Sequence, residues 1–331
     1  MKRLQKTCMT AILIGSFTSI SFGQAKIAQT GFNFLSVSAD ARSSGMGDAV
    51  NSLSGFSGSM FYNPASMAEM STILGATASV HNWIADIDYL SFSAILSPSS
   101  GDYGNIGVSV QAVNYGEVEG TIVDRNSPSG YMELDIMKPT ALAVGVGYAK
   151  MLNDKFGVGG RIKYVTQSLG ESNFMSSEGE VTTKKNKAEA FAFDFGTVYK
   201  TGIKSIAFGM SVTNFSKEVK YEEEGFQLPL LFTIGMSANV LDFIDLTESD
   251  HELMLSVDWT HPRSHPEQLK IGMEYQFMKL ISLRGGYIGG NDENDFTVGV
   301  GVSHFGFGFD YSYIPFGVFG NVQQFTARFS M

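Results

Sequence analysis

Phe191-Ala192-Phe193-Asp194-Phe195-Gly196-Thr197-Val198-Tyr199 reads as a strand with two unlike faces. Side chains of an extended chain alternate in direction, so Phe191, Phe193, Phe195 and Tyr199 share one side and Ala192, Asp194, Gly196 and Val198 the other. The pattern repeats outward in both directions. Ile106, Val108 and Val110 oppose Gly107, Ser109 and Gln111; Phe156, Val158, Ile162 and Tyr164 oppose Gly157, Gly159, Arg161 and Lys163. About 14 such segments lie near 73–80, 88–97, 104–114, 140–150, 156–168, 188–200, 203–213, 229–240, 252–260, 267–277, 280–289, 295–303, 305–314 and 321–330. Most approach the roughly 9–11 residues with which a tilted strand crosses a bilayer. The expected fold is all-β: a closed antiparallel transmembrane β-barrel of about 14 strands over residues 72–331.

The connections support closure in a membrane. Alternate links are short (Met151–Lys155, Thr201-Gly202, Met278-Lys279, His304), whereas 115–139, 169–187 and 214–228 are long and polar. Outer-membrane barrels have this asymmetry, with short periplasmic turns and long exterior loops. An even strand count then places both termini on the periplasmic side. Arg161, Lys163, Asp194, Asp258, Lys270, Glu274, Arg284, Asp310 and Arg328 all fall on the small or polar face, which becomes the lumen. They serve there as a transport path or as ion pairs that fill the interior. Trp83, Tyr89, Tyr115, Tyr148, Tyr199, Trp259, Tyr287 and Tyr313 cluster near strand ends, as interfacial girdles do, which disfavours a soluble β-sandwich. The last strand, with Phe325, Ala327 and Phe329 alternating, looks like the C-terminal strand read by barrel-assembly machinery, although it ends in Met331 rather than Phe or Trp.

The 331 residues are 44% hydrophobic and 17% charged, with 37 glycines and 26 phenylalanines. Charge is below the roughly 25% usual in soluble domains, and disorder is excluded by the apolar content. Beyond the first two dozen residues no apolar run is long enough for a spanning helix. Lys2, Arg3 and Lys6 precede an apolar run over about 9–20 and then Ser21-Phe22-Gly23, the pattern of a cleaved secretion signal over 1–23. Cys8 is lost with it, which removes thiol chemistry from the mature chain. Losing three basic and no acidic groups moves the formal net charge from −10 to −13. Phosphate contacts need Lys and Arg, so nucleic-acid binding is excluded.

Residues 24–71 break the alternation and are expected to form a helical hatch in the lumen. Ser38 to Ala49 is rich in small residues and reads as a short, tightly packed helix or turn. Asn63 can cap a helix whose first position takes Pro64, leaving Ala65 to Met70 as the helix. Three motifs stand in order: Gly31-Phe32-Asn33-Phe34-Leu35, Asp40-Ala41-Arg42-Ser43-Ser44-Gly45-Met46-Gly47-Asp48-Ala49 and Phe61-Tyr62-Asn63-Pro64-Ala65. Together they resemble the N-terminal signature of the PorV/PorQ family of FadL-like barrels. The Asn-Pro-Ala element is shared with the wider FadL family. The resemblance implies an outer-membrane protein of type IX secretion, with secretion components and cargo as partners and Asp40, Arg42, Gly45, Gly47, Asn63, Pro64 and Ala65 as the hatch motif. The alternative is a FadL-like channel for hydrophobic small molecules.

Enzymatic readings are weak. No Gly-x-Ser-x-Gly elbow occurs, so a lipid-modifying barrel lacks the usual nucleophile motif. His261 and His265 form the single close histidine pair, without a nearby third ligand, and Asn291 to Asp295 reads as a solvated acidic loop; no metal or cofactor is expected. The Gly-x-Gly pairs at 145, 157, 299 and 306 are not phosphate loops. They are expected to leave room on the lumen face for the hatch.

Overall fold

The computed structural model describes residues 30–123, 127–175, 181–221, 224–244, 250–290 and 295–331. The expected secretion signal with Cys8, residues 24–29 of the expected hatch and most of the acidic run 291–295 lie outside the described residues.

Alternation dictates the architecture. The barrel strands are β1 (Leu74–Asn82), β2 (Asp88–Leu96), β3 (Asn105–Asn114), β6 (Thr140–Met151), β7 (Phe156–Met175), β8 (Val181–Lys200) and β9 (Ala207–Ser216). They continue as β12 (Leu231–Asn239), β13 (His251–Pro262), β14 (Gln268–Phe277), β15 (Ile281–Gly289), β16 (Phe296–His304), β17 (Phe307–Pro315) and β18 (Asn321–Ser330). Two small hairpins, β4 (Val118–Val123) with β5 (Tyr131–Met137) and β10 (Val219–Lys220) with β11 (Gly225–Phe226), lie in the long connections. Among the described residues the fourteen barrel strands form one ring, each antiparallel to its neighbours in chain order. It closes where β1 pairs with β18, from Gly75↔Ser330 to Asn82↔Gln323.

Most large apolar residues of the barrel strands point outward and most small or polar ones inward, with Tyr89, Ile95, Val113, Val165, Ile288 and Ile314 among the inward exceptions. Phe191, Phe195 and Phe309 are 62%, 55% and 65% exposed, while Asp194, Ser93 and Ser312 are fully buried. The short turns are tight: Phe305 and Gly306 (φ 49° and 81°) join β16 to β17, the left-handed pair that suits the twist of a hairpin.

Three sequence expectations need correction. The segments 115–139, 169–187 and 214–228 are not simple loops. β7 and β8 remain paired to Met175↔Val181, whereas β6 leaves β7 at Ser168, so the β7–β8 hairpin projects beyond the wall. Lysine and glutamate in that stretch masked the alternation. Nor do all the strand-end aromatics form an outer girdle. Tyr89 is inward and buried, and Trp83 and Tyr115 pack on interior clusters, because each has the parity or loop position of the lumen side. Finally, Leu74 and Ser330 share the short-turn end, but Thr30 bridges Gln227 at the long-loop end. The chain therefore descends the lumen before it enters β1.

Outward positions face hydrocarbon if the barrel spans a membrane. Val144→Arg, midway along the outward face of β6, should cost about 2–4 kcal/mol, and Thr140→Arg at the strand end about 0–1 kcal/mol. Urea unfolding in lipid vesicles would measure both.

Candidate functional site

The interior is built by seating residues 38–70 on the glycines of the wall. Asp40 caps the helix Ala41–Gly45, its carboxylate accepting from Ser43 N (2.9 Å) and Ser43 Oγ (2.8 Å). Burial pushes the Asp40 carboxyl up, and the two Ser43 donors pull against that shift. Ala41 N donates to Thr326 Oγ1 (2.8 Å), and Ser44 Oγ lies 2.6 Å from Ser312 Oγ. Gly45 meets the wall where a Cβ on Gly299 would stand 3.1 Å from its Cα. Gly47 adopts φ 61° and donates its N–H to Thr297 Oγ1 (3.0 Å). Lower down, Asn63 Oδ1 accepts from Ala65 N (3.0 Å), while Asn63 Nδ2 donates to the carbonyls of Asn51 (2.8 Å) and Thr197 (3.1 Å). Pro64 opens the 3-10 helix Pro64–Glu69, and Ala65 sits 2.7 Å from a Cβ placed on Gly159.

The wall glycines divide into two groups. Gly147, Gly159 and Gly299 receive the N-terminal segment, whereas Gly145, Gly301 and Gly308 make room for charged side chains of the wall itself. Gly160 points outward and Gly306 belongs to a turn, so neither serves the lumen.

The charged residues read from the sequence all project inward, and seven of the nine form two networks on opposite walls. On one, Arg42 holds Glu274 through Nε (3.0 Å) and Nη2 (2.7 Å), and Arg284 holds Glu274 (2.6 Å) and Asp310 (2.8 Å). Arg328 closes this ladder on Asp310. On the other, Arg161 (2.6 Å) and Lys163 (3.0 Å) share Asp194. Asn214 N also donates to Asp194 (2.7 Å), from a residue at φ 62° beside a break in the β8–β9 register. Between the walls, Asp258 accepts from Asn51 N (2.9 Å), and Lys270 lies 3.8 Å from Asp48. Arg42, Arg284 and Arg328 thus share Glu274 and Asp310, Arg161 and Lys163 share Asp194, and Lys270 faces Asp48. Buried charges survive only when paired in this way. Sequence reading missed Asp48, Asn51 and Asn214. Asn214 carried a signal, since asparagine is depleted in strand interiors and tolerates the left-handed turn of a bulge.

Three spaces among the described residues adjoin the plug. A vestibule of about 480 Å³ at the long-loop end is walled by Trp83, Ile314, Phe316 and Leu230 and floored by Asp48 and Lys270. It shares Ser38, Asp48, Thr260 and Lys270 with an inner polar chamber of about 80 Å³ that reaches Arg161, Lys163 and Asp258. A third space of about 450 Å³, at the short-turn end, is lined by Phe56, Met70, Ser303 and Arg328. Arg42 stacks over Phe56 (4.5 Å), and Ser44 lines the vestibule, so the helix Ala41–Gly45 and its ladder stand between the two ends. Beside the chamber, Phe32 and Phe34 fill an apolar cluster with Tyr89, Val113, Val165 and Leu228.

This architecture has close structural counterparts. The chain is similar to the CymD monoaromatic hydrocarbon channel, with TM-score 0.59 and 11% identity over 89% of this chain and 98% of that one. It is similar to the Pseudomonas putida toluene transporter TodX, with TM-score 0.55 and 11% identity over 92% and 98%. A Pseudomonas aeruginosa FadL homologue superposes with TM-score 0.56 and 12% identity over 88% and 98%. The fold is that of FadL-type outer-membrane barrels. No protein-family model matches the sequence, and no curated protein matches it. Two of these three FadL-type neighbours are named as a channel or transporter, and none of the three as part of a secretion system.

In the ladder, Glu274 serves two arginines. Glu274→Ala strands both Arg42 and Arg284 and should cost about 3–5 kcal/mol in detergent unfolding. Arg42→Met leaves Glu274 with Arg284 and should cost clearly less.

Proposed function

We propose that this chain is a non-enzymatic outer-membrane barrel that takes up small hydrophobic molecules, with residues 30–70 as the plug of its lumen. Several observations support the reading. The expected secretion signal and the turn asymmetry put the long loops on the cell exterior, and the apolar outer wall suits lipid as its surroundings. The vestibule carries it: a space at the long-loop end whose lining brings Trp83, Phe316, Ile314 and Leu230 together. An apolar molecule gains by leaving water for Trp83, Ile314 and Phe316. The FadL-type neighbours named for monoaromatic hydrocarbons and toluene have the chemistry that such a vestibule fits.

Onward passage then requires the plug to yield at the Arg42–Glu274 contact. Cells that carry the gene should accumulate labelled toluene or fatty acid several-fold faster than a deletion strain, and Arg42→Met should raise the rate further. Equal uptake with and without the gene would contradict the reading.

A second reading, attachment or shuttling in type IX secretion, draws on the motif trio that resembles PorV/PorQ and on the hairpins β4–β5 and β7–β8. The β7–β8 hairpin extends past the barrel wall, and Val123, Tyr131 and Ile136 of β4–β5 are exposed at 74%, 46% and 52%. Exposed apolar surface outside a membrane marks contact with another protein. On this reading, deletion of the gene abolishes export and surface attachment of cargo while toluene uptake stays constant.

A further inference from the structure

Most buried polar side chains of the lumen have partners; His81 does not. It lies on the inward face of β1, 5% exposed, and among the described residues neither ring nitrogen has a hydrogen-bond partner. Its surroundings are aromatic. The ring stacks on Tyr89 with centroids 4.7 Å apart and planes at 11°, and it meets Trp83 edge-on at 5.8 Å. Trp83 in turn packs edge-on against Phe316 at 4.7 Å, and both line the vestibule. One half-buried indole therefore separates an unpartnered imidazole from the vestibule.

Packing alone does not account for an imidazole here. A phenyl ring would fill the same box without two polar atoms to desolvate, and buried polar groups without partners are rare enough to require a reason. A neutral imidazole offers one donor and one acceptor. Building on the small-molecule reading above, we infer that the vestibule selects an uncharged aromatic molecule bearing one hydroxyl group, a phenol, over the bare hydrocarbon. The ring of the ligand packs on Trp83 and Phe316, and rotation of Trp83 brings the hydroxyl to His81. An ionised head group is disfavoured, because the His81 ring sits between Tyr89 and Trp83 and among the described residues has no hydrogen-bond partner to offset its desolvation.

The test compares two ligands of nearly one shape, p-cresol and p-xylene, which differ by hydroxyl against methyl. The full barrel is purified in detergent, and quenching of Trp83 is followed in a Trp259→Phe background, since the chain has two tryptophans. p-Cresol should bind about tenfold more tightly than p-xylene, the worth of one buried hydrogen bond. His81→Phe should bring the two within about twofold while p-xylene binding persists. Equal binding by the parent barrel, which needs no His81 variant, overturns the inference and leaves small-molecule uptake standing. A tenfold preference that survives in His81→Phe overturns it too and assigns the imidazole to an ordered water only. Failure to bind either ligand overturns both the inference and the uptake reading.

Discussion

Pairing of the first strand of the sheet with the last governs everything else in this molecule. Once Gly75 to Asn82 is bonded to Gln323 to Ser330, the fourteen-strand ring has no edge strand, and its strands pair their backbone groups with one another rather than with water. A closed sheet has only an inside and an outside, and a shift of one residue would exchange them on any strand. Most phenylalanine, valine and leucine of the strands are thereby committed to the outer face, and most serine, threonine and charged residues to the lumen. That commitment creates a second demand, because an interior lined with small polar groups is left open unless something fills it.

The filling is supplied by the chain itself. Residues 38–70 press backbone against wall glycines, and their N–H groups and side chains meet serine and threonine of the strands. The two ion-pair networks complete the packing. In them five cations surround three carboxylates, so each buried carboxylate has at least two cations in contact. The cost of desolvating Asp194 or Asp310 is offset by two cations on each. Against this polar interior the aromatic mouth stands apart. There an apolar molecule meets Trp83, Ile314 and Phe316.

Much of this was legible in the sequence because period two is a strong local signal. Phe191 to Tyr199 announces its two faces without any knowledge of its neighbours, and inward parity assigns Arg161, Asp194 and Glu274 together. Asn63 and Pro64 are similarly local, since a cap and a first helical turn involve adjacent residues. What escaped depends on distant partners. The hairpin continuation of β7 and β8 is stabilised across strands, and its charged residues resemble a loop. Tyr89 and Trp83 are common girdle residues, and only their register turns them inward. The descent of the chain from Thr30 through the lumen depends on contact with Gln227 nearly two hundred residues away. His81 gave no sign at all, because an isolated histidine acquires meaning only from the groups around it.

The central claim is that the N-terminal segment runs inside the closed wall, with Ser44 against Ser312. The expected mature chain has no cysteine, so Ser44→Cys with Ser312→Cys introduces the sole thiol pair, at positions whose hydroxyls are 2.6 Å apart. Mild oxidation of this double variant in intact membranes should form a disulfide in nearly every molecule, seen as a mobility shift that dithiothreitol reverses. Two thiols that stay reduced and both react with a maleimide would contradict the account.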